Sequence, residues 1–338
     1  MSIPTVSMAG LLVGKVATGA MRFTYGAEKV PYAQAFEVIR TAVDAGSNLL
    51  NTGSFYGGHE TPLANLELLA RFFEAHPDYV DKVLLSAKGG LTTSFTPSGD
   101  LDFLRKDCVK INEVLKHKKM DYFEIARVPK DVSVEEMVKN LLLLRSEAHF
   151  SHISLSEVSA STLRRAVAAA ALENVKIAFV EVEYSPFCVD IEKNGVLEAA
   201  KELDVPILAY SPLGLGFLGN TWKTIDDLPE GDPRRTYDRF SPSNFAHNVQ
   251  LAQKLGEIAQ KKGVTAAQLS IAWVAAQWEK IIPLPGSTNP SRVAESVAAA
   301  TIHLTPEELE EIREVIDGFE VKGVRYANNP AIQGMLNG

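Results

Sequence analysis

Cysteine, basic patches and metal-ligand clusters are scarce in this chain of 338 residues, and each shortage argues against a class of protein. The two cysteines, Cys108 and Cys188, form no CxxC pair, which favours two reduced thiols over a disulfide framework. The seven histidines are scattered without ligand spacing, so no metal site is expected. The formal net charge is −8 and Lys and Arg form no basic stripe, so nucleic acid is not an expected partner.

Signals for export and for membrane insertion are absent as well. The first residues, MSIPTVSMAGLLVGKV, contain no basic stretch followed by a long apolar run and a cleavage site. The apolar run Ala166–Leu172 is too short to span a bilayer, so no membrane partner is expected. We therefore expect a cytoplasmic protein, with a nuclear pool left open, whose 46% hydrophobic residues suffice for one large core.

What the sequence does contain is a regular alternation of short β-branched runs and amphipathic helical segments. In the segment Gln34–Ala45, apolar residues recur at helical spacing (Ala35, Val38 and Ile39), and Gly46 is a favourable helix stop. Further helices are expected over Ser161–Leu172, Gly195–Leu203, Val249–Lys262, Pro290–Ala300 and Thr305–Gly318. Strands are expected near Val13–Thr18, Asn48–Asn51, Lys82–Ala87, Asp121–Ile125, Phe150–Leu155, Ala178–Glu183, Pro206–Tyr210 and Ile281–Leu284.

This alternation predicts an α/β fold with a parallel sheet, and eight such units close a (β/α)8 barrel. An open doubly wound sheet is the alternative, but it needs a GxGxxG turn after the first strand, which Gly14–Gly19 does not provide. We expect one domain over residues 1–338, with a long active-face loop at Gly214–Asn248 that is either a lid or an ordinary insertion. After the C-terminal helix, the tail Phe319–Gly338 is expected to be irregular and either to fold over the barrel mouth or to fray.

Polar or glycine-rich residues follow nearly every expected strand, and catalytic groups of such barrels lie at these carboxyl ends. Tyr56 follows the second strand and Lys88 follows the third. A phenol has a pKa of about 10, which is too high for easy proton transfer at neutral pH. A nearby ammonium lowers that pKa, and such a phenol can protonate a carbonyl oxygen as hydride reaches the carbon. The pair therefore points to carbonyl reduction.

Several motifs resemble those of the aldo-keto reductase family in order and spacing. NTGSFYGG around Tyr56 is similar to the family's DTAxxYG signature, and LSAKGG around Lys88 is similar to the strand that carries its catalytic lysine. LSEVS, VEVEYS, LAYSPLGLG and IPLPGSTNPSRVAES follow in the family's order, so the resemblance covers residues 10–318. FxxARV at Phe123–Val128, EVEYS and RFSPSNF make the fungal pyridoxal reductases the most similar branch.

The resemblance implies reduction of a small-molecule aldehyde by NADPH, with pyridoxal to pyridoxine as the leading reaction, in a monomer or weak homo-oligomer. Tyr56 would donate the proton, Lys88 would lower its pKa, and Tyr210 would stack on the nicotinamide ring. The other residues that would contact NADP(H) are Ser156, Glu157 and Glu181 near the carboxamide, Ser211, Leu213 and Gly214 at the pyrophosphate and ribose, Gly286, Ser287 and Thr288 at the adenosine end, Arg292 at the 2′-phosphate, and Glu295 and Ser296 near adenine.

Four positions depart from the family's pattern. Asn51 stands where the family has a catalytic aspartate, and Ala126 stands where it has a catalytic histidine. Glu157 and Glu181 replace an asparagine and a glutamine. Asn51 can still accept a hydrogen bond from Lys88 through its amide oxygen, but it brings no charge, so we expect Lys88 to be easier to deprotonate.

Two arginines have two interpretations each. We hypothesise that Arg127 takes the place of the missing histidine or leaves a wider pocket for an aromatic aldehyde; the alternative is an ion pair with Asp131 or Glu157 at the rim. Arg292 lies in the first turn of an expected helix, where outward N–H groups and a planar guanidinium favour a phosphate. The alternative for Arg292 is a surface ion pair with Glu295.

Two other functions compete with carbonyl reduction. The substitutions at Asn51 and Ala126 are compatible with a regulatory subunit of the same fold that binds the cofactor with little turnover. A Schiff-base aldolase using Lys88 is the other alternative, but it leaves the Arg292 segment without a purpose.

Overall fold

The computed structural model describes residues 3–25, 30–326 and 333–336. A two-stranded antiparallel hairpin of β1 (Thr5–Met8) and β2 (Leu11–Gly14) comes first. Eight strands then form one parallel sheet in chain order. They are β3 (Thr18–Gly19), β4 (Leu49–Gly53), β5 (Leu84–Gly89), β6 (Met120–Ile125), β7 (Phe150–Ser156), β8 (Ile177–Glu183), β9 (Ile207–Tyr210) and β10 (Ile281–Leu284).

The first and last strands of this sheet meet and close it. The N–H of Ala17 donates to the Pro283 carbonyl, and the N–H of Gly19 donates to the Pro285 carbonyl, both at 2.9 Å. A sheet whose edge strands bond to each other has no free edge, which defines a barrel. The expected (β/α)8 barrel is therefore confirmed, and the open doubly wound alternative is wrong.

Eleven α-helices occur among the described residues and surround this sheet. They are α1 (Tyr32–Asp44), α2 (Ala64–Ala75), α3 (Leu101–Leu115), α4 (Val134–Ser146), α5 (Ala160–Ala171), α6 (Asp190–Lys193), α7 (Val196–Glu202), α8 (Pro242–Lys262), α9 (Ala266–Ala276), α10 (Pro290–Ala298) and α11 (Pro306–Asp317). Side-chain caps set several helix starts, as at α11, where Thr305 and Glu308 form the capping box that the sequence predicts. None of the described helices combines the length and the apolar character needed to cross a bilayer.

The N-terminal hairpin was not expected and corrects the predicted strand Val13–Thr18. Residues Ala9 and Gly10 both have positive φ (50° and 94°), which permits a two-residue hairpin turn. The chain therefore folds back before it enters the barrel at β3. Met8 and Val13 belong to the same buried apolar cluster as Tyr122, whose hydroxyl donates to the Met8 carbonyl at 3.4 Å, so the hairpin closes the floor of the barrel and leaves its mouth free.

The long segment after β9 is folded into a series of 3₁₀ turns that lead into α8. This helix begins at Pro242, seven residues before the predicted start at Val249. Proline suits a first helical turn, and Phe245 packs on Phe217, with ring centroids 5.0 Å apart. After α11, residues 319–326 reach back over the barrel mouth, where Arg325 contacts residues at the ends of β7, β8 and β9.

Candidate active site

Lys88 lies near the carboxyl end of β5, with only 4% of its side chain exposed. Its Nζ donates to Asn51 Oδ1 at 2.7 Å and to Glu181 Oε2 at 2.5 Å, and it lies 3.3 Å from Glu124 Oε1. The expected hydrogen bond to the amide oxygen of Asn51 is therefore confirmed. Together with Tyr56, these residues form what we call the lysine cluster.

Two other strands supply the carboxyl groups that Asn51 lacks. Glu124 comes from β6 and Glu181 from β8, and the Asn51 amide donates to both, at 3.1 and 2.8 Å. Burial works to lower the pKa of Lys88, but the two carboxyl groups outweigh it and raise that pKa above 10.5. The expectation that Lys88 is easier to deprotonate is therefore wrong.

Glu124 is fully buried among these groups. Its burial, followed by the negative charge of Glu181, raises its pKa well above the ordinary 4.5. The Ser86 hydroxyl donates to its Oε2 at 3.2 Å. One cation thus faces two carboxyl groups, and Glu124 holds its proton to a higher pH than an ordinary carboxyl group does.

Tyr56 follows β4 and is 9% exposed, with Lys88 Nζ 5.8 Å from the centroid of its ring. Gly53 permits this approach, because a Cβ at that position would lie 3.3 Å from the Tyr56 ring. Burial raises the pKa of Tyr56 to about 12, although Lys88 acts to lower it. The expectation of a lowered phenol pKa is therefore wrong for this arrangement, and Tyr56 is a neutral phenol over the physiological range.

Arg127 lies beside the mouth, directly after the fully buried Ala126, and its Nη1 donates to the Ala126 carbonyl at 2.5 Å. Burial acts to lower the pKa of Arg127, but the neighbouring phenols of Tyr210 and Tyr326 and the carboxylate of Glu157 raise it. The guanidinium therefore lies among the groups that line the mouth, as the hypothesis of a replacement for the histidine requires.

The alternative of a rim ion pair for Arg127 is wrong. Asp131 instead accepts a hydrogen bond from the Ser98 hydroxyl at 2.6 Å. Glu157 pairs with Arg325 of the tail, at 2.6 Å. Neither carboxylate lies within ion-pair distance of Arg127, so most of its N–H donors stay available to a ligand.

A second group of charged side chains lies across the mouth from Tyr56, and we call it the latch cluster. Arg325 donates from Nη2 to Glu157 Oε1 at 2.6 Å and to the Tyr210 hydroxyl at 2.7 Å, and from Nε to Glu183 Oε2 at 2.6 Å. Arg239 donates to Glu183 Oε1 at 3.0 Å. The latch cluster comprises Glu157, Glu183, Tyr210, Arg239 and Arg325, with Tyr326 donating to the Tyr210 hydroxyl.

The backbone is strained where β7 and β9 end. Glu157 and Ser211 both have φ of 51°, and Leu215 has φ of 58°. The left-handed region costs a residue with a side chain on the order of 1–3 kcal/mol, and such strain concentrates at functional sites. Two of these positions, Glu157 and Ser211, are among the expected cofactor contacts.

Several features of the same rim fit a dinucleotide. The hydroxyl of Ser156 is buried without a hydrogen-bond partner in the described part of the chain. A Cβ on Gly286 would lie 3.2 Å from the Gly19 carbonyl oxygen, so a side chain at this rim position would require the Gly19 backbone to move by a few tenths of an ångström. Of the other expected contacts, Leu213, Gly214, Ser287 and Thr288 lie in the loops that follow β9 and β10. Ser296 lies in α10, where its hydroxyl donates to the Arg292 carbonyl at 2.8 Å.

Arg292 is exposed in the first turn of α10, and its guanidinium has no hydrogen-bond or ion-pair partner among the described residues. Glu295 instead accepts a hydrogen bond from the Thr265 hydroxyl, so the alternative of an Arg292–Glu295 pair is wrong. The expected outward N–H donors also need correction. Asn289 accepts hydrogen bonds from the N–H groups of Ser291 and Arg292 at 2.9 and 3.2 Å. A phosphate here would depend on the arginine side chain.

A closed (β/α)8 barrel with a buried Tyr–Lys pair at its carboxyl rim defines a class of barrel oxidoreductases. The aldo/keto reductase family model matches residues 15–317, and the chain belongs to this family. It is 37% identical to "Probable pyridoxal reductase 2" of Schizosaccharomyces pombe, over 94% of this chain and 96% of that protein.

Further comparisons agree with this membership. The chain is 32% identical to an S. pombe aldo-keto reductase named for NADP(+), over 96% of this chain and 95% of that protein. A glycerol dehydrogenase from Gluconobacter oxydans has a solved structure that superposes with a TM-score of 0.81. That likeness covers 96% of this chain and 98% of the other at 20% identity, and it shows the shared fold alone.

Sequence reasoning missed several residues of the two clusters. Glu124 had a signal that could have revealed it, because it is a charged residue inside a run expected to be a buried strand. Arg239 begins the RFSPSNF run that the resemblance uses, but nothing in that run indicated its ion pair. Arg325 and Tyr326 had no signal, because long-range folding of the tail brings them to the mouth.

Proposed function

We propose that this protein reduces an aldehyde to an alcohol with NADPH and that Tyr56 donates the proton. The observation that carries the proposal is the neutral, buried phenol of Tyr56 beside the fully paired Lys88 at the barrel mouth. A neutral phenol next to a fixed cation is an acid whose anion is stabilised as the proton leaves.

The residues of the rim fit a nicotinamide dinucleotide. When bound, that group supplies the hydride which the aldehyde carbon accepts. Ser156 offers a buried hydroxyl without a partner, Tyr210 offers a ring that the latch cluster holds, and Arg292 offers an unpaired guanidinium to a 2′-phosphate. The further proposed contacts are Glu157, Glu181, Ser211, Leu213, Gly214, Gly286, Ser287, Thr288, Glu295 and Ser296.

The chain's own chemistry is a proton transfer. The Tyr56 hydroxyl donates its proton to the carbonyl oxygen while hydride adds to the carbon, and the phenolate later regains a proton from solvent. Lys88 stabilises that phenolate, and Glu181 and Asn51 hold Lys88 in place. Arg127 provides a second donor to the substrate oxygen, in place of the histidine missing at Ala126.

Pyridoxal is the substrate that we propose, with pyridoxine as the product. The S. pombe relative that is named a probable pyridoxal reductase matches this chain over nearly its whole length. An aromatic aldehyde with a hydroxyl beside the carbonyl also matches the free N–H donors of Arg127 at the mouth.

The test is to mix the purified protein with NADPH or NADH and with pyridoxal, pyridoxal 5′-phosphate or benzaldehyde. The nicotinamide absorbance is followed, and pyridoxine is identified by chromatography. We expect consumption of NADPH with pyridoxal and formation of pyridoxine. Binding of NADPH without consumption of any aldehyde would contradict the proposal and support the regulatory-subunit alternative.

The choice of NADPH is tested in the same assay with Arg292→Gln. Loss of charged hydrogen bonds to a phosphate should weaken NADPH binding roughly ten- to hundred-fold. Binding of NADH, which lacks that phosphate, serves as the internal control and should be unchanged. Equal effects on both dinucleotides would remove Arg292 from the 2′-phosphate site.

A further inference from the structure

The described tail is fastened to the barrel along residues 319–326. The backbone of Lys322 exchanges two hydrogen bonds with the fully buried side chain of Asn248, at 2.8 and 2.9 Å. The N–H of Val324 donates to Asp238 at 3.0 Å. A Cβ on Gly323 would lie 2.7 Å from the Arg239 nitrogen, so a glycine is needed for this close approach. These contacts fix the position from which Arg325 enters the mouth.

Arg325 makes contacts that hold other functional groups in place. Its planar guanidinium joins Glu157 from β7's end to Glu183 from β8, and it also bonds the Tyr210 hydroxyl. Such a three-way contact uses the fixed fork geometry that lysine lacks. Arg325 is thus the bridge between the ends of β7, β8 and β9.

The carboxylates of Glu157 and Glu183 depend on Arg325 to different degrees. Glu183 keeps a second cation, Arg239, at 3.0 Å. Glu157 is 1% exposed, and Arg325 is its only ion-pair partner among the described residues. A buried carboxylate without its cation is strongly disfavoured, so without Arg325 the Glu157 side chain would turn toward water and release Tyr210.

We propose that Arg325 is a positioning residue for the dinucleotide, so that docking of the tail and binding of NADPH are coupled. The inference rests on the proposed function, since it assigns Glu157 and Tyr210 to the nicotinamide end of the site. Arg325 acts through them because its donors are directed at their side chains. By reciprocity, bound NADPH must then stabilise the docked tail.

The primary experiment measures the dissociation constant of NADPH by quenching of tryptophan fluorescence in wild type, Arg325→Lys and Arg325→Gln. Loss of charged hydrogen bonds predicts a dissociation constant raised roughly ten- to hundred-fold in Arg325→Gln, with Arg325→Lys in between. The KM for NADPH should rise with it, whereas kcat at saturating NADPH should change much less.

Arg313→Gln is the matched control. Arg313 donates two hydrogen bonds to Glu192 at 2.9 Å, and it makes no hydrogen bond or ion pair with Glu157, Glu183 or Tyr210. The Arg313→Gln variant therefore loses an arginine–glutamate pair but leaves Glu157 and Tyr210 unchanged. Its NADPH binding should stay at the wild-type value.

A second measurement follows trypsin cleavage after Lys322 in the folded protein. NADPH should slow this cleavage in wild type and should have little effect on it in Arg325→Gln. If Arg325→Gln does not fold, Arg325→Lys and the wild-type cleavage rates with and without NADPH carry the test. A residue that only stabilises the fold would change the folded fraction but not this response to NADPH.

The outcomes separate the two proposals. If wild type does not bind NADPH, the proposed function fails and this inference falls with it. If wild type binds NADPH and the Arg325 variants bind equally well, only the inference about Arg325 is overturned.

Discussion

The lysine cluster and the latch cluster share β8, which carries Glu181 of the first and Glu183 of the second, and they balance their charges differently. In the lysine cluster one cation, Lys88, faces two carboxyl groups, and burial raises the pKa of Glu124, so this carboxyl group holds its proton to a higher pH than usual. In the latch cluster two arginines face two carboxylates. Burial alone would raise the pKa of Glu157, but the charges of Arg325 and Arg127 and the hydrogen bonds from Tyr210 and Arg325 together outweigh it and lower that pKa.

This difference in charge balance suits the two clusters to different tasks. A cluster with a surplus carboxyl group stores a proton and responds to pH. A cluster with matched charges stays ionised and fixes geometry. We therefore expect substitutions in the lysine cluster to change the catalytic rate and the pH dependence, and substitutions in the latch cluster to change dinucleotide affinity.

The largest effect is expected for Lys88→Met. Removing the cation leaves Glu181 buried without its ion-pair partner, and breaking a buried pair costs about 3–5 kcal/mol of unfolding free energy. The reductase rate should fall as well, since the Tyr56 phenolate loses its cation. Urea unfolding and steady-state kinetics measure both effects. Lys82→Met is the control, because Lys82 pairs with Asp78 at an exposed site, and it should unfold like wild type.

Arg127→Ala tests the residue that lies between the two clusters. Loss of a donor to the substrate oxygen should lower kcat/KM for aldehydes roughly 10²- to 10³-fold. Arg127→Lys should recover part of this loss, because it keeps a charge but not the planar fork. Arg165→Ala, at an exposed pair with Glu135, is the control. An unchanged kcat/KM in Arg127→Ala would exclude Arg127 from the site.

The smallest effect is a change in the pH dependence of stability in Glu124→Gln. In wild type the folded protein holds a proton on Glu124 that the unfolded chain releases above its ordinary pKa of 4.5. Folding therefore takes up a proton, so Glu124 makes stability fall as pH rises above 4.5 toward its raised folded-state pKa. Glutamine removes this dependence. Urea unfolding over that range should show Glu124→Gln gaining stability relative to wild type as pH increases, and parallel curves would contradict a protonated Glu124.

Much of the barrel could be predicted from the sequence because local patterns determine it. β-branched runs and capping residues such as Thr305 located most strands and helices. The hairpin at Ala9 and Gly10 was missed because two short strands and a single continuous one have similar apolar patterns. The early start of α8 was missed because the packing of Phe245 on Phe217 decides it.

The site was predictable only in part, for a related reason. Tyr56, Lys88 and Asn51 lie in motifs at strand ends, and their proximity follows from the barrel. The positions of the residues that determine their charge do not follow from the barrel. The Glu124 and Glu181 contacts join strands far apart in the chain, and Arg325 is 168 residues from Glu157. Local sequence contains no information about such pairings, which is why the direction of the Lys88 pKa shift was predicted wrongly.

Tyr56→Phe tests the central claim most directly. The variant removes only the hydroxyl, so the dissociation constant of NADPH should stay at the wild-type value. The rate of aldehyde reduction in a single turnover at saturating NADPH should fall roughly 10²- to 10⁴-fold, which is the usual contribution of a positioned acid. A variant that binds NADPH and reduces the aldehyde at the wild-type rate would contradict the assignment of Tyr56 as the proton donor.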